Sequence, residues 1–427
     1  MASDMTLNPD FKRLWIAQAM SKGGTQVTLI AIPLLAALTL DASPLQMGLL
    51  GASASLGRVL FSLMAGVWVD RLPRRPVLIG TDLARAAVVS VVPVAWMLDL
   101  LRLEMLYVIE FVVASLSVFF DVAYRSYLPT LVDRDDLLGA NSRLEATSSA
   151  AHMAGPGAAG MLIAAAGAPL ALVLDAVSYL ISAMFVSRIR VSELFDRTTP
   201  GQSMAGEIRD GISIVFAQPV LRAITGCTAT WAFFDSVTLA VLVLFMTRTL
   251  NLGAAAVGVV FSSMGVGLFL GALMANRLSR RFGIGPACIG GAGVSGVGGG
   301  IAALAGGPSA VALGVLMLAM FLLGLGGTVY VINDMTVRQA SVDPRYHGRM
   351  NATITFATST LGPLGFLAGG ALGEWLGLRA ALVVGALGGT VAFLWLLSSP
   401  LRGMRSLAPW SVDGEVDVVQ TPGHARV

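Results

Sequence analysis

Twelve long stretches, each nearly empty of charge, follow one another along this chain, and a soluble fold has no place to put them. They fall near residues 14–39, 44–69, 76–97, 103–127, 142–166, 168–187, 221–246, 253–275, 284–305, 309–335, 352–375 and 377–398. A bilayer core takes about 20 apolar residues per helix, so each run is long enough to span one. Charged residues make up 12% of the 427 positions and the hydrophobic set 56%, against roughly 25% and 45–50% in soluble domains. Too few polar side chains remain to cover a water-facing surface. The 49 glycines fit the same picture, because small residues let helices approach closely in lipid.

The segment 188–220 is polar and divides the twelve runs into two sets of six. It carries Pro200-Gly201 and suits a linker with one short surface helix near 205–216. The expected organisation is therefore a six-helix half over 1–187, the linker, a second half over 221–398, and a disordered polar tail over 399–427. Residues 1–10 are short and polar with no cleavage site after them, so the first run reads as a retained span. Basic residues cluster at alternate connections: 22 of the 28 Lys and Arg fall on one side, including Arg71, Arg74, Arg75, Arg277, Arg280 and Arg281. Arg102, Arg248 and Arg379 fall on the other. The positive-inside rule then puts both termini in the cytoplasm, with the chain in the cytoplasmic (inner) membrane.

A repeat links the halves. Ala65-Gly66-Val-Trp-Val-Asp70-Arg71-Leu72-Pro73-Arg74-Arg75 recurs as Gly271-Ala272-Leu-Met-Ala-Asn276-Arg277-Leu278-Ser279-Arg280-Arg281, at an offset of 206. Gly155-Pro156 with Gly160 recurs as Gly362-Pro363 with Gly369-Gly370, at an offset of 207. Parallel duplication of this kind is a feature of transporter folds.

The stretch Gly66 to Arg75 resembles the loop signature of the major facilitator superfamily, and Gly155-Pro156 resembles the Gly-Pro motif of its antiporters. Ala31-Ile32-Pro33-Leu34-Leu35, Ser43 to Gly48 and Asp121 to Pro129 are similar to the branch of macrolide, tetracycline and enterobactin exporters. The resemblance covers about residues 11–400. It implies an all-α membrane protein with twelve transmembrane helices as two six-helix repeats, and no enzyme. It further implies proton-coupled efflux of a small hydrophobic or amphipathic molecule by alternating access. Import, or flipping of a lysophospholipid, on the same fold is the alternative. By the same analogy, Gly66, Asp70, Arg71, Arg74, Arg75 and Asp334 belong to a gate that latches the halves, unless the arginines only set topology. Gly155, Pro156 and Gly160 would kink the fifth helix and pack it closely.

Charge inside a span costs roughly 2.5–3.5 kcal/mol at the bilayer centre, so buried ionisable groups are the sharpest functional candidates. They are Lys22, Arg58, Asp82, Arg85, Glu110, Asp121, Asp175, Asp235 and Asp334. The family's cavity is lined by helices one, four, seven and ten, which singles out Asp235, Glu110 and Asp121 as proton carriers. Glu110 and Asp121 lie on one helix face, about 16 Å apart. Asp121 is alternatively a structural partner of Arg85 or Arg125. Lys22, Arg58, Trp231, Phe234 and Asn333 are candidate cavity or substrate residues. Lys22 either pairs across the cavity, attracts an anion or snorkels; Arg58 pairs with Asp235 or Asp175, or its span is displaced. Cys227 and Cys288 lie far from any metal-ligand spacing, and no Gly-rich nucleotide loop occurs. No cofactor, metal or nucleic-acid partner is expected; the partners are a small molecule, protons and lipid, with the chain a monomer.

Overall fold

The computed structural model describes residues 8–69, 71–191, 212–213, 215–343 and 346–405. Asp70, most of the expected surface helix, and the tail beyond 405 lie outside the described residues. Among the described residues the chain is helical throughout. The first six long helices are α1 Pro9–Leu38, α2 Pro44–Val69, α3 Arg74–Met97, α4 Leu103–Leu131, α5 Leu137–Ala166 and α6 Ala168–Ser187. The second six are α7 Pro219–Leu244, α8 Ala254–Phe282, α9 Ile284–Ala303, α10 Ser309–Ser341, α11 His347–Leu376 and α12 Leu378–Val391.

The sequence places most of these ends to within a few residues because local chemistry sets them. Asn8 caps α1, its side chain accepting from the amides of Asp10 and Phe11. Gly167 and Gly377 adopt φ of +83° and +90° and turn α5 into α6 and α11 into α12 with one residue each. α7 closes in a π-helical turn, Phe245–Thr249. Nine helices among the described residues are long and apolar enough to cross a membrane. The other three long ones, α2, α5 and α11, all pack against the opposite six-helix set.

Within each set of six the packing is parallel: α1 on α5 and α6, α2 on α4, α3 on α4 and α6, then α7 on α11 and α12, and α10 on α8 and α9. The two sets meet mainly along two seams, α5 with α8 and α2 with α11. Both seams depend on glycine. A Cβ on Gly160 would stand 2.9 Å from the Cα of Gly258, and one on Gly48 would stand 2.9 Å from the Cα of Gly370. These four residues correspond at an offset of 210, so the two seams are copies of each other. Pro363 therefore sits three residues out of register with Pro156, although the sequence motifs align at 207.

The seams close only one side of the molecule. Taking the side where α1 begins as the near face, a single apolar core joins both halves toward the far face, from Ile30–Ala37 and Leu50 to Ala240–Met246 and Val257–Val260. Toward the near face the core splits. Phe11, Leu14, Phe120 and Tyr127 form one cluster, whereas Ile224, Cys227, Cys288 and Leu396 form another. Arg248 Nη2 meets Asp41 Oδ1 at 2.5 Å across the far face, and Leu45 N donates to Glu374 Oε2 at 3.2 Å. Being exposed, these two ties are each worth about 1 kcal/mol or less; the packed seams hold the far face shut.

A Gly258→Leu substitution should force α5 and α8 apart and cost about 1–3 kcal/mol, the usual range for overpacking. Gly290→Leu, with nothing within 4 Å of its Cβ position, should leave thermal unfolding in detergent unchanged. Equal melting of the two variants would refute the seam's role.

Candidate functional site between the halves

The cores separate toward the near face and leave a gap between the halves, and Lys22, Asp121 and Asp235, on α1, α4 and α7, are only partly buried. The N-terminal half lines the gap with charge. Lys22 Nζ lies 3.1 Å from Asp121 Oδ1, joining α1 to α4. Asp121 thus meets neither Arg85 nor Arg125 directly, and the lysine pairs within its own half. Glu110, about three turns earlier on α4 and closer to the far face, has no hydrogen bond or ion pair among the described residues. It interacts through space with Arg58 of α2, which likewise makes no direct bond there. Arg58 is thus coupled to Glu110, a partner that sequence spacing does not reveal.

Behind this surface lies a second, fully enclosed charge cluster. Arg85 Nη2 meets Asp82 Oδ1 at 2.5 Å, with both side chains buried (3% and 0% exposed). The Arg85 guanidinium is held between two rings, 4.3 Å from the Phe120 centroid and 4.4 Å from that of Tyr179. Such a sandwich suits the planar, weakly hydrated arginine head. Asp175 is also buried, accepting from the Thr28 hydroxyl and from Ser178 Oγ at 3.1 Å. Tyr179 OH contacts Thr25 Oγ1 at 3.1 Å. The cluster ties α1, α3, α4 and α6 into one body.

The C-terminal half differs. Asp235 stands about midway along α7, partly accessible, and makes no hydrogen bond or ion pair among the described residues. One turn nearer the near face, Trp231 lines an apolar cavity. Phe234 turns the other way: a Cβ on Gly388 of α12 would run into its ring, which places it in the α7–α12 interface. Near the near face, Arg338 holds Asp334 through Nε and Nη2, each at 2.6 Å, and donates to Thr228 Oγ1 of α7 at 3.3 Å. Thr228 and the Tyr330 hydroxyl lie 2.6 Å apart, so α7 and α10 are pinned there. Asn333 Oδ1 accepts from Ser279 Oγ of α8 at 2.5 Å.

The loop signature sits at the near face. Arg75 donates to the last carbonyls of α6, those of Val186 (3.4 Å) and Ser187, a favourable place for a cation. Arg71 is exposed, Arg74 has further interactions, and Gly66 has open space beside it. Gly155 packs on Gln26 of α1, and the carbonyl of Pro156 faces Gly258. Gly157 N, just beyond the proline, donates to Ser262 Oγ of α8 at 2.8 Å. This bond and the Arg248–Asp41 tie escape sequence reading, since neither spacing nor residue type singles them out.

Twelve bundled helices, paired glycine seams and a charged space between two halves define a multi-pass membrane transporter of the major facilitator fold. Residues 6–418 match the family described as transmembrane secretion effector, and the chain belongs to that family. It is 26% identical over 397 residues to the uncharacterized MFS-type transporter YfiS of Bacillus subtilis, covering 87% of this chain and 88% of that one. It is 27% identical over 377 residues to the multidrug efflux pump Tap of Mycolicibacterium fortuitum, covering 84% and 88%. Among solved structures, a bacterial homologue of the iron transporter ferroportin in an inward-facing state superposes with TM-score 0.72 at 18% identity, covering 92% and 98%. An outward-facing state of such a homologue gives TM-score 0.56 at 20% identity, covering 91% and 98%.

The enclosed pair makes a direct prediction. Arg85→Met should strand the Asp82 carboxylate and cost about 3–5 kcal/mol, because one partner of a buried pair is left uncompensated. Asp82→Asn combined with Arg85→Met should recover most of that loss in thermal unfolding. Additive effects would show that the two side chains act separately.

Proposed function

We propose that this protein exports a small hydrophobic or amphipathic molecule in exchange for protons, by alternating access between two six-helix halves. The observation that carries the reading is Asp235, a carboxyl midway along a membrane span with no partner among the described residues. A carboxylate so placed is costly unless it takes up a proton or meets a cation during the cycle. Asp235 is therefore the principal proton carrier, and Glu110 and Asp121 are secondary ones on the opposing wall. The likeness to a protein named as a multidrug efflux pump supports export and a substrate of that class.

The basic bias of the near face supports a cytoplasmic position for it, with the chain in the cytoplasmic membrane. The far face is then the sealed outer one, and the described conformation is open inward, ready to load. Substrate enters between the halves; the halves then rock about the α5–α8 and α2–α11 seams. Opening outward requires the far-face ends of those seams, at Gly48–Gly370 and Gly160–Gly258, to part and the near-face ends to meet, where the loop signature and the Asp334–Arg338 pair act as the latch. One proton crossing 100 mV supplies about 2.3 kcal/mol, enough for a roughly 50-fold substrate gradient. The pathway lies within one chain, so a monomer suffices.

In inverted membrane vesicles holding a proton gradient, lipophilic dyes and antibiotics should dissipate that gradient. Asp235→Asn should abolish the dissipation while the purified variant still binds the same compounds. Undiminished dissipation by the variant would remove Asp235 from the mechanism; no dissipation with any compound would favour import or lipid flipping.

A further inference from the structure

The two halves are built on one plan, yet their interiors are filled in opposite ways. At an offset of 210, Thr28 against Asp175 in the first half becomes Thr238 against Gly385 in the second, and Gly24 against Ser178 becomes Phe234 against Gly388. At the same offset Tyr179 becomes Gly389. At the offset of 206 shown by the loop motif, Arg85 against Phe120 becomes Gly291 against Gly326, which again touch. Four members of the charged and aromatic packing around Arg85 thus have glycine opposite them: Arg85, Phe120, Asp175 and Tyr179 against Gly291, Gly326, Gly385 and Gly389, while Asp82 has Cys288.

The second half recovers part of the lost volume by drawing α9 onto α10. What remains is a cavity of about 230 Å³ among α7, α8, α9, α10 and α12. Its walls include Trp231, Met264, Gly327, Val331 and Gly389, together with Ser295. α7 packs on α11 and α12 and meets α10 at the Thr228–Tyr330 contact, and two residues of the cavity wall, Trp231 and Val331, are partly or largely exposed. Ser295 is 3% exposed, and its hydroxyl has no hydrogen-bond partner. A buried, unbonded hydroxyl in an otherwise apolar cavity costs about 1–3 kcal/mol until something bonds to it.

We propose that this cavity is a binding subsite for a neutral aromatic group of about two fused rings, whose single polar atom bonds the Ser295 hydroxyl. An apolar protein cavity of about 150 Å³ holds benzene, and the larger volume here suits a naphthalene-sized group. The subsite deepens the efflux reading by assigning the apolar part of the substrate to the C-terminal half. The charged wall of the N-terminal half and Asp235 are left to the polar end. Its test, however, depends on neither transport direction nor proton coupling.

The test is equilibrium binding of 2-naphthol and naphthalene to the purified full chain in lipid nanodiscs, read by saturation-transfer NMR against empty discs. Both probes should bind saturably to the wild type. Gly389→Leu should weaken both at least about tenfold while melting no lower than wild type. Gly389 is in the cavity wall and has nothing within 4 Å of its Cβ position, so the added side chain has room at its base. Gly327→Leu, whose Cβ would lie 3.8 Å from Ser295 Oγ, should act alike from another wall. Ser295→Ala should weaken 2-naphthol about fivefold, equivalent to one hydrogen bond of about 1 kcal/mol, and leave naphthalene unchanged. Absence of saturable binding to the wild type, or wild-type affinity in both leucine variants, would overturn the proposal. Intact binding without proton-coupled export would instead sink the efflux reading and leave the subsite standing.

Discussion

Four glycines, Gly48, Gly160, Gly258 and Gly370, let helices from opposite halves meet backbone to backbone, and the rest of the architecture follows from that contact. In lipid the hydrophobic effect gives no net pull between helices, so close packing has to supply the attraction. Placing both seams toward the far face makes one continuous core there and leaves two separate cores at the near face. The molecule is closed on one side and open on the other because its tightest contacts lie on one side. Side chains at these positions would abolish the contact, whereas the exposed Arg248–Asp41 and Leu45–Glu374 ties only decorate it.

Charge is distributed just as unevenly. In the N-terminal half, Arg85 stacked between Phe120 and Tyr179, and Thr28 bonded to Asp175, tie α1, α3, α4 and α6 together, with Asp82 neutralising the arginine from its own helix. A helix set stapled in this way moves as a unit. The C-terminal half has glycine opposite Arg85, Phe120, Asp175 and Tyr179, and its buried ion pair among the described residues, Asp334 with Arg338, lies near the near face. Its interior holds a cavity where the other half holds a staple, and its mid-span carboxyl, Asp235, is left without a partner. The correspondence of Asp235 with Thr25 explains this: Thr25 reaches the Tyr179 hydroxyl, and the counterpart of Tyr179 is Gly389.

Sequence patterning exposes the helices well, because twenty apolar residues ended by charge or glycine have few alternatives in a membrane. Even proline-containing helices such as α1 and α4 run through. Pairings are far less legible. Lys22 meets Asp121 and Arg58 acts on Glu110, but choosing among six carboxylates needs the rotation of each helix about its axis, which composition does not encode. Phe234 illustrates the same limit: its closeness in sequence to Asp235 says nothing of its facing α12. The Gly-Pro motif aligns at 207 while the helices superpose at 210, since a short motif can slide by nearly one turn without leaving its helix.

The central claim is that the halves rock about the seams, so that near and far faces open in opposite senses. Spin labels at Leu138 and Leu273, on the near-face halves of α5 and α8, report one gap by pulsed dipolar spectroscopy. Labels at Asp99 and Leu304, on far-face connections, report the other. Addition of a transported compound across the carboxylate pH range should populate a state in which the first distance shortens and the second lengthens together. Two distances that stay fixed, or that change in the same sense, would contradict alternating access in this molecule.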